Sequence, residues 1–220
     1  MDKMSRPLLI KKGAEASLYL ADWHGKRAVM KCRLTKKYRP VSLDEYIRTY
    51  RTVHEPQLMH EAKRAGVPTP TIFLVDIKNM TIIMEFVKGK QVKGFFAEVS
   101  ASKRRLLCLK IGELIGRLHR CGIVHGDLTT SNMILRSDGK VFFVDFGLGE
   151  KTSELEARGV DLHLMKRALQ SAHFRFAAEC FDAVSEGYCE TMGRETGKSV
   201  LDKVREIEKR GRYVAERREE

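Results

Sequence analysis

The chain has 220 residues, 43% of them hydrophobic and 32% charged, enough apolar material for a core, which excludes wholesale disorder. Its 41 Lys and Arg against 29 Asp and Glu give a net charge of +12, so an anionic partner is expected: a nucleotide, a nucleic acid or an acidic protein face. The length fits one large domain or two small lobes, and the longest apolar runs, 81–87 and 141–146, are strand-sized and too short to cross a bilayer.

The N-terminal run places Asp2, Lys3, Arg6, Lys11 and Lys12 around only a short apolar stretch, Leu8 to Ile10, which is not the pattern of a signal peptide. The strand signals that follow are Leu8 to Lys12, Ser17 to Trp23 and Arg27 to Leu34, separated by Gly13 and the His24-Gly25 turn. They read as a β-meander. Thr35 to Ser42 is a basic, polar loop. From Leu43 to Ala65 the apolar residues Leu43, Ile47, Val53, Leu58, Met59 and Ala62 follow a helical period, with Ser42 as N-cap. Pro56 lies inside that span and is expected to kink or divide it. Gly66-Val67-Pro68 stops the helix, and strands Thr71 to Asp76 and Met80 to Val87 follow.

Lys88-Gly89-Lys90 reads as a linker. Beyond it helices dominate: Ser102 to Cys121, Val160 to Gln170, Arg175 to Met192 and Lys198 to Lys209. A short strand pair, Asn132 to Leu135 and Lys140 to Val144, turns at Ser137-Asp138-Gly139. The expected division is residues 1–87, 88–209 and a basic tail, 210–220. Cys32, Cys108, Cys121, Cys180 and Cys189 are odd in number, dispersed and without a C-x-x-C pair. Neither a disulfide framework nor a zinc ribbon is expected, and a reducing cytoplasm fits.

The segment His125-Gly126-Asp127-Leu128-Thr129-Thr130-Ser131-Asn132 carries the strongest chemical signal, and Asp145-Phe146-Gly147 opens 13 residues after Asn132. The pair resembles the protein-kinase signature H-R-D-L-x-x-x-N followed by D-F-G. Phosphoryl transfer from ATP needs Mg²⁺ on the phosphates, and hard oxygen donors suit that ion: the Asp145 carboxylate and the Asn132 amide oxygen. Asp127 is placed to orient the attacking oxygen or accept its proton. Ala28-Val29-Met30-Lys31 resembles V-A-I-K, with Lys31 on the phosphates and on a helix glutamate. Glu55, followed by Leu58-Met59, is preferred for that partner, and Glu61 is the alternative. Gly13-Ala14-Glu15-Ala16 stands where a glycine-rich phosphate loop is usual. Glu15 there suits locking the loop better than binding a polyanion. Met84-Glu85-Phe86-Val87 ends a strand, and the backbone of Glu85 and Val87 is expected to meet the adenine edge.

Two departures narrow the reading. Thr129 replaces the usual lysine two residues after the catalytic aspartate, and no A-P-E follows Asp145. The segment from Leu148 to Gly159 is too short for a peptide-substrate platform. Together with Arg64-Ala65-Gly66, Asp145 to Gly149, Val160-Asp161-Leu162 and Arg210-Gly211-Arg212, these features resemble the small atypical kinase subunit of the KEOPS complex across nearly the whole chain. That resemblance implies an α+β, minimal bilobal kinase-like fold with a β-rich N-lobe and a reduced helical C-lobe. It implies ATP hydrolysis or autophosphorylation with Mg²⁺ in support of threonylcarbamoyl modification of tRNA. The implied partners are a threonylcarbamoyl transferase subunit on the C-lobe side, a small regulatory subunit on the N-lobe, and tRNA, with no membrane. A free-standing protein Ser/Thr kinase, a small-molecule phosphotransferase and a non-catalytic scaffold are the other readings; intact Lys31, Asp127, Asn132 and Asp145 argue against the last.

Overall fold

The structure, a computed structural model, describes residues 7–216, with side chains through residue 210. Three strands, β1 (Leu8–Lys12), β2 (Ala16–Trp23) and β3 (Lys26–Arg33), form the expected meander. Helix α1 (Val41–Arg64) follows, then β4 (Ile72–Asp76) and β5 (Thr81–Glu85). β5 inserts beside β3, so the antiparallel sheet runs β1-β2-β3-β5-β4. This order puts β3 in the middle, with Lys31 opposite Leu18 on one side and Ile82 on the other.

The expected Ser42 cap of α1 fails, and so does a division of the helix at Pro56. The helix starts after Pro40, whose carbonyl accepts the Asp44 N–H at 2.9 Å, and Ser42 lies inside the first turn rather than capping it. Pro40 supplies a fixed φ and ends the polar loop two residues earlier than the Ser42 signal indicates. Pro56 does not divide the helix. It costs one backbone hydrogen bond, but Glu55, Pro56, Leu58, Met59 and Ala62 are all buried, and that packing holds the turn in place.

The second half begins with β6 (Gly89–Gln91) and a short α2 (Val92–Phe95). The stretch expected as a linker is therefore also an edge strand. It pairs with β8, because a side chain at Gly89 would run into the Leu135 carbonyl and glycine alone admits the approach. Helix α3 (Ala101–Arg120) is capped by the Ser100 hydroxyl, which accepts the Lys103 N–H. β7 (Ile123–Val124) leads to a 3₁₀ turn over residues 130–132, then to the hairpin β8 (Met133–Arg136) and β9 (Val141–Phe143). β10 (Glu150–Lys151) returns to pair with β7.

Three helices complete the chain: α4 (Leu155–Ala172), α5 (Ala177–Met192) and α6 (Arg194–Glu216). α4 starts five residues before the sequence signal, and α6 continues past the expected boundary at residue 209. Arg210 there bonds Glu156 at 2.8 Å and also Glu206. The rest of the expected basic tail, 217–220, lies outside the described residues. One apolar cluster joins both halves, from Leu58, Met59 and Ile82 to Ile115, Phe146, Leu162 and Val184. Among the described residues no helix is long and apolar enough to cross a membrane.

Candidate nucleotide site

β3 alternates its side chains, so Lys31 and Arg33, two residues apart, face the same way. Both are buried and both meet Glu55 of α1. Lys31 Nζ donates to Glu55 Oε1 at 2.7 Å and Oε2 at 2.9 Å, and to Asp145 Oδ1 at 2.7 Å. Arg33 Nη2 donates to Glu55 Oε2. Glu61, the alternative helix glutamate, instead pairs with Lys151 at 2.7 Å on the surface. The structure thus brings Lys31, Glu55 and Asp145 together and leaves Glu61 outside.

The loop after β7 is held from below. Asp161 of α4 accepts the His125 N–H at 2.7 Å and the Gly126 N–H at 2.9 Å. Asp161 also faces His119 Nε2 at 3.2 Å, and His119 Nδ1 lies 2.9 Å from the Tyr188 hydroxyl. Gly126 has φ +76° and a Cβ there would collide with the Leu148 carbonyl, so only glycine makes this turn. His125 is buried, which pushes its pKa down, and the opposing pull of Asp161, Asp145 and Asp127 does not restore it. The imidazole is therefore neutral near pH 7. Its Nδ1 accepts the Asp127 N–H at 3.3 Å, which assigns the proton to Nε2, facing the Val144 carbonyl at 3.1 Å.

Asn132 donates its amide N–H to Asp127 Oδ2 at 2.8 Å and to the Asp127 carbonyl at 3.1 Å. That fixes the amide the other way round for Oδ1, which meets no donor among the described residues. Asp145 has φ +66°, unusual for a residue with a Cβ. Phe146 beside it is buried against His125, ring centroids 4.4 Å apart, and anchors the turn. Burial pushes the Asp145 carboxyl up, but the charge and hydrogen bond of Lys31, with the charge of Arg33, outweigh burial and hold it below the ordinary carboxylate range. Asp145 is therefore ionised.

The loop at Gly13 closes by a Gly13 N–H to Ala16 carbonyl bond of 2.9 Å. Glu15 is neutralised by Arg39, at 2.9 and 3.3 Å, and by Arg51 at 3.1 Å, and Lys36 donates to the Ala14 carbonyl. The Arg39 bond, stronger than the opposing burial, keeps the Glu15 pKa low. Gly13, Ala14, Glu15, Ala16, Lys31, Asp127, Asn132 and Asp145 all line one cavity of about 440 Å³. A second space of about 370 Å³ continues from it, walled by Leu18, Val29, Met84, Val87, Ile134 and Val144. Glu85 lines that space too, although its amide already donates to the Thr71 carbonyl at 2.8 Å; the Val87 N–H has no acceptor among the described residues. A flat apolar slot opening into a chamber of lysine, carboxylates and an amide suits a purine base joined to phosphates.

Arg33 and Asp161 went unassigned in the sequence reading. Arg33 had a signal in its spacing from Lys31 along a strand. Asp161 had one in lying four residues before Met165, on the helix face that Leu162, Met165 and Leu169 make apolar.

The RIO-domain family model matches residues 25–160, which contain every residue just described except the phosphate-side loop, Leu18, Asp161 and Tyr188. A relative named KEOPS complex subunit Bud32, from Pyrococcus abyssi, is 46% identical over 211 residues, covering 93% of this chain and 96% of the relative. The chain belongs to the Bud32 family of RIO-domain proteins. A family member from Dictyostelium discoideum, named EKC/KEOPS complex subunit bud32, is 35% identical over 82% of its length. A Methanothermobacter thermautotrophicus protein named probable bifunctional tRNA threonylcarbamoyladenosine biosynthesis protein is 44% identical, but the chain spans only 37% of it. RIO-type proteins are atypical kinases and ATPases, and this chain is one of them, an ATP user.

Proposed function

We propose that the chain is the ATP-using subunit, by hydrolysis or autophosphorylation, of a KEOPS-type assembly that supports threonylcarbamoyladenosine formation in tRNA. The observation that carries this reading is the joined set Lys31–Glu55–Asp145 and Asp127–Asn132 in one cavity, in a chain 46% identical to a KEOPS subunit over nearly its whole length. The adenine lies in the apolar slot, against the Glu85 and Val87 backbone, between lobes of residues 1–87 and 88–209. Lys31, oriented by Glu55, holds phosphate oxygens, and the Gly13 to Ala16 loop covers them. Asp127 keeps Oδ2 on Asn132 and uses its remaining acceptor capacity to orient the attacking oxygen or take its proton. The acceptor is water, or a serine or threonine hydroxyl of the chain itself.

The donor set fits Mg²⁺. An ionised carboxylate at Asp145 and an unpartnered amide oxygen at Asn132 are hard oxygen ligands. No cluster of three or more His, Cys, Asp or Glu that could hold a metal alone occurs among the described residues, as expected for an ion completed by phosphates and water. Bound there, Mg²⁺ neutralises charge on the phosphate oxygens. The transferase subunit docks on the C-lobe side, the small regulatory subunit on the N-lobe, and tRNA enters within the complex, in the cytoplasm. ATP turnover by the purified chain, alone and with the transferase subunit and tRNA, tests the reading. Stimulation by both partners and loss of Mg²⁺-dependent turnover in Asp145→Asn are expected. Turnover in Asp145→Asn with unchanged metal dependence rejects the site, and phosphorylation of free peptides without any partner effect favours an independent Ser/Thr kinase.

A further inference from the structure

In protein kinases the strand lysine and helix glutamate must pair before transfer, and placement of that helix is what modification of the activation segment controls. Here the buried Glu55 carboxylate serves two cations. Lys31 donates to both of its oxygens, but Lys31 also holds Asp145 Oδ1 at 2.7 Å. Phosphates in the cavity add a third claim on that ammonium. Arg33 has no carboxylate partner other than Glu55 among the described residues. Its Nη2 also reaches the Arg51 carbonyl at 3.4 Å, one turn before Glu55. That is the stretch of helix where Pro56 has no amide to offer the Thr52 carbonyl. Arg33 is 5% exposed with Nε unpartnered, and its guanidinium is a planar fork of donors. A Cβ at Gly147 would lie 3.1 Å from Arg33 Nη2 and 3.6 Å from Glu55 Oε2. The arginine therefore also walls the segment that follows Asp145.

We infer that Arg33 is a positioning residue that keeps Glu55, and with it α1, docked on the sheet when Lys31 turns to phosphate. Helix placement in this chain then waits neither for nucleotide nor for modification of the short segment after Asp145. The inference rests on the nucleotide-site reading above, but half of its test does not depend on turnover. Full-length wild type, Lys31→Met, Arg33→Met, Arg33→Lys and the Lys31→Met/Arg33→Met double variant are compared by amide hydrogen exchange and by steady-state ATP turnover. Exchange in α5 reports whether the fold is intact.

In Lys31→Met, turnover is lost while exchange of residues 52–60 stays within about twofold of wild type. Arg33→Met speeds exchange of that stretch by about tenfold or more with α5 unchanged, and lowers kcat more than it raises KM. Arg33→Lys, which keeps the charge but not the fork, falls between wild type and Arg33→Met on both readouts, and it carries the test if Arg33→Met does not fold. The inference is overturned if Lys31→Met alone frees α1 as much as Arg33→Met does. It is equally overturned if Arg33→Lys matches wild type, or if the Arg33 variants loosen α5 as much as α1. Absence of turnover in wild type counts against the nucleotide reading instead, and the exchange comparison still decides the role of Arg33.

Discussion

Glu55 shows how much one carboxylate organises. It is buried, and its removal strands Arg33 without a counter-charge and leaves Lys31 with Asp145 alone. Breaking a buried ionic cluster by deleting one member typically costs about 3–5 kcal/mol. Glu61 is a different case, since its pairing with Lys151 sits on the surface with side chains 38% and 60% exposed. Such a pair is worth at most about 1 kcal/mol. Glu55→Ala is therefore expected to lose most ATP turnover and several degrees of melting temperature, and Glu61→Ala to stay close to wild type in both. Kinetics and thermal melts on the two variants check this, and a larger loss in Glu61→Ala would mean that α1 is docked in another register.

At the scale of elements, the loop that carries Asp127 depends on helices that do not line the cavity. α4 supplies Asp161 to the loop backbone, α3 supplies His119, and α5 supplies Tyr188. The three can meet because α3 and α5 approach closely. A side chain added at Gly112 would collide with the Val184 carbonyl, and one added at Gly187 with the Leu109 carbonyl. Gly112→Ala and Gly187→Ala are expected to cost about 1–3 kcal/mol each through overpacking. They should also lower turnover as the His119–Tyr188 contact opens. Gly94 in α2 has no atom near such a Cβ, so Gly94→Ala should be neutral or stabilising, within about 1 kcal/mol. Denaturant midpoints for the three variants separate close packing from a general dislike of alanine; equal midpoints would show that the helices part without cost.

Across the molecule, pH acts through two sets of groups in separate windows. Burial depresses His125, and depresses His173 with help from the charges of Lys93 and Arg104. A histidine whose folded pKa lies below its unfolded one makes the unfolded chain the better proton binder. Stability is therefore full above the unfolded value of about 6.5 and declines as pH falls, by up to about 1.4 kcal/mol per unit for a fully buried histidine such as His125. Asp145 is shifted the same way, from a carboxylate starting point, so its contribution is lost only in more acidic solution, below about pH 4. Denaturant midpoints are expected to fall steadily from pH 7 to 5 in wild type and less steeply in His125→Gln. A flat profile over that range in wild type contradicts the buried neutral imidazole.

Local periodicity and motif chemistry were enough for the sequence to specify the strands, the long helices and the residues that gather around one cavity. Lys31 sits on its strand, and Asp127, Asn132 and Asp145 sit at fixed short spacings, because the chemistry they share is organised within one loop and one hairpin. The helix starts and the β6 edge were not legible: Pro40 opens α1 by its fixed φ two residues before the Ser42 cap signal, and Gly89 acts through the strand it lies against. Tertiary structure alone decided which charges meet. Arg33 finds Glu55 from 22 residues away, Arg51 finds Glu15 from 36, and Asp161 reaches back 36 residues to His125. No local pattern encodes such pairings: a charge in sequence has many possible partners, and only the burial that the fold imposes makes leaving one unpaired too costly.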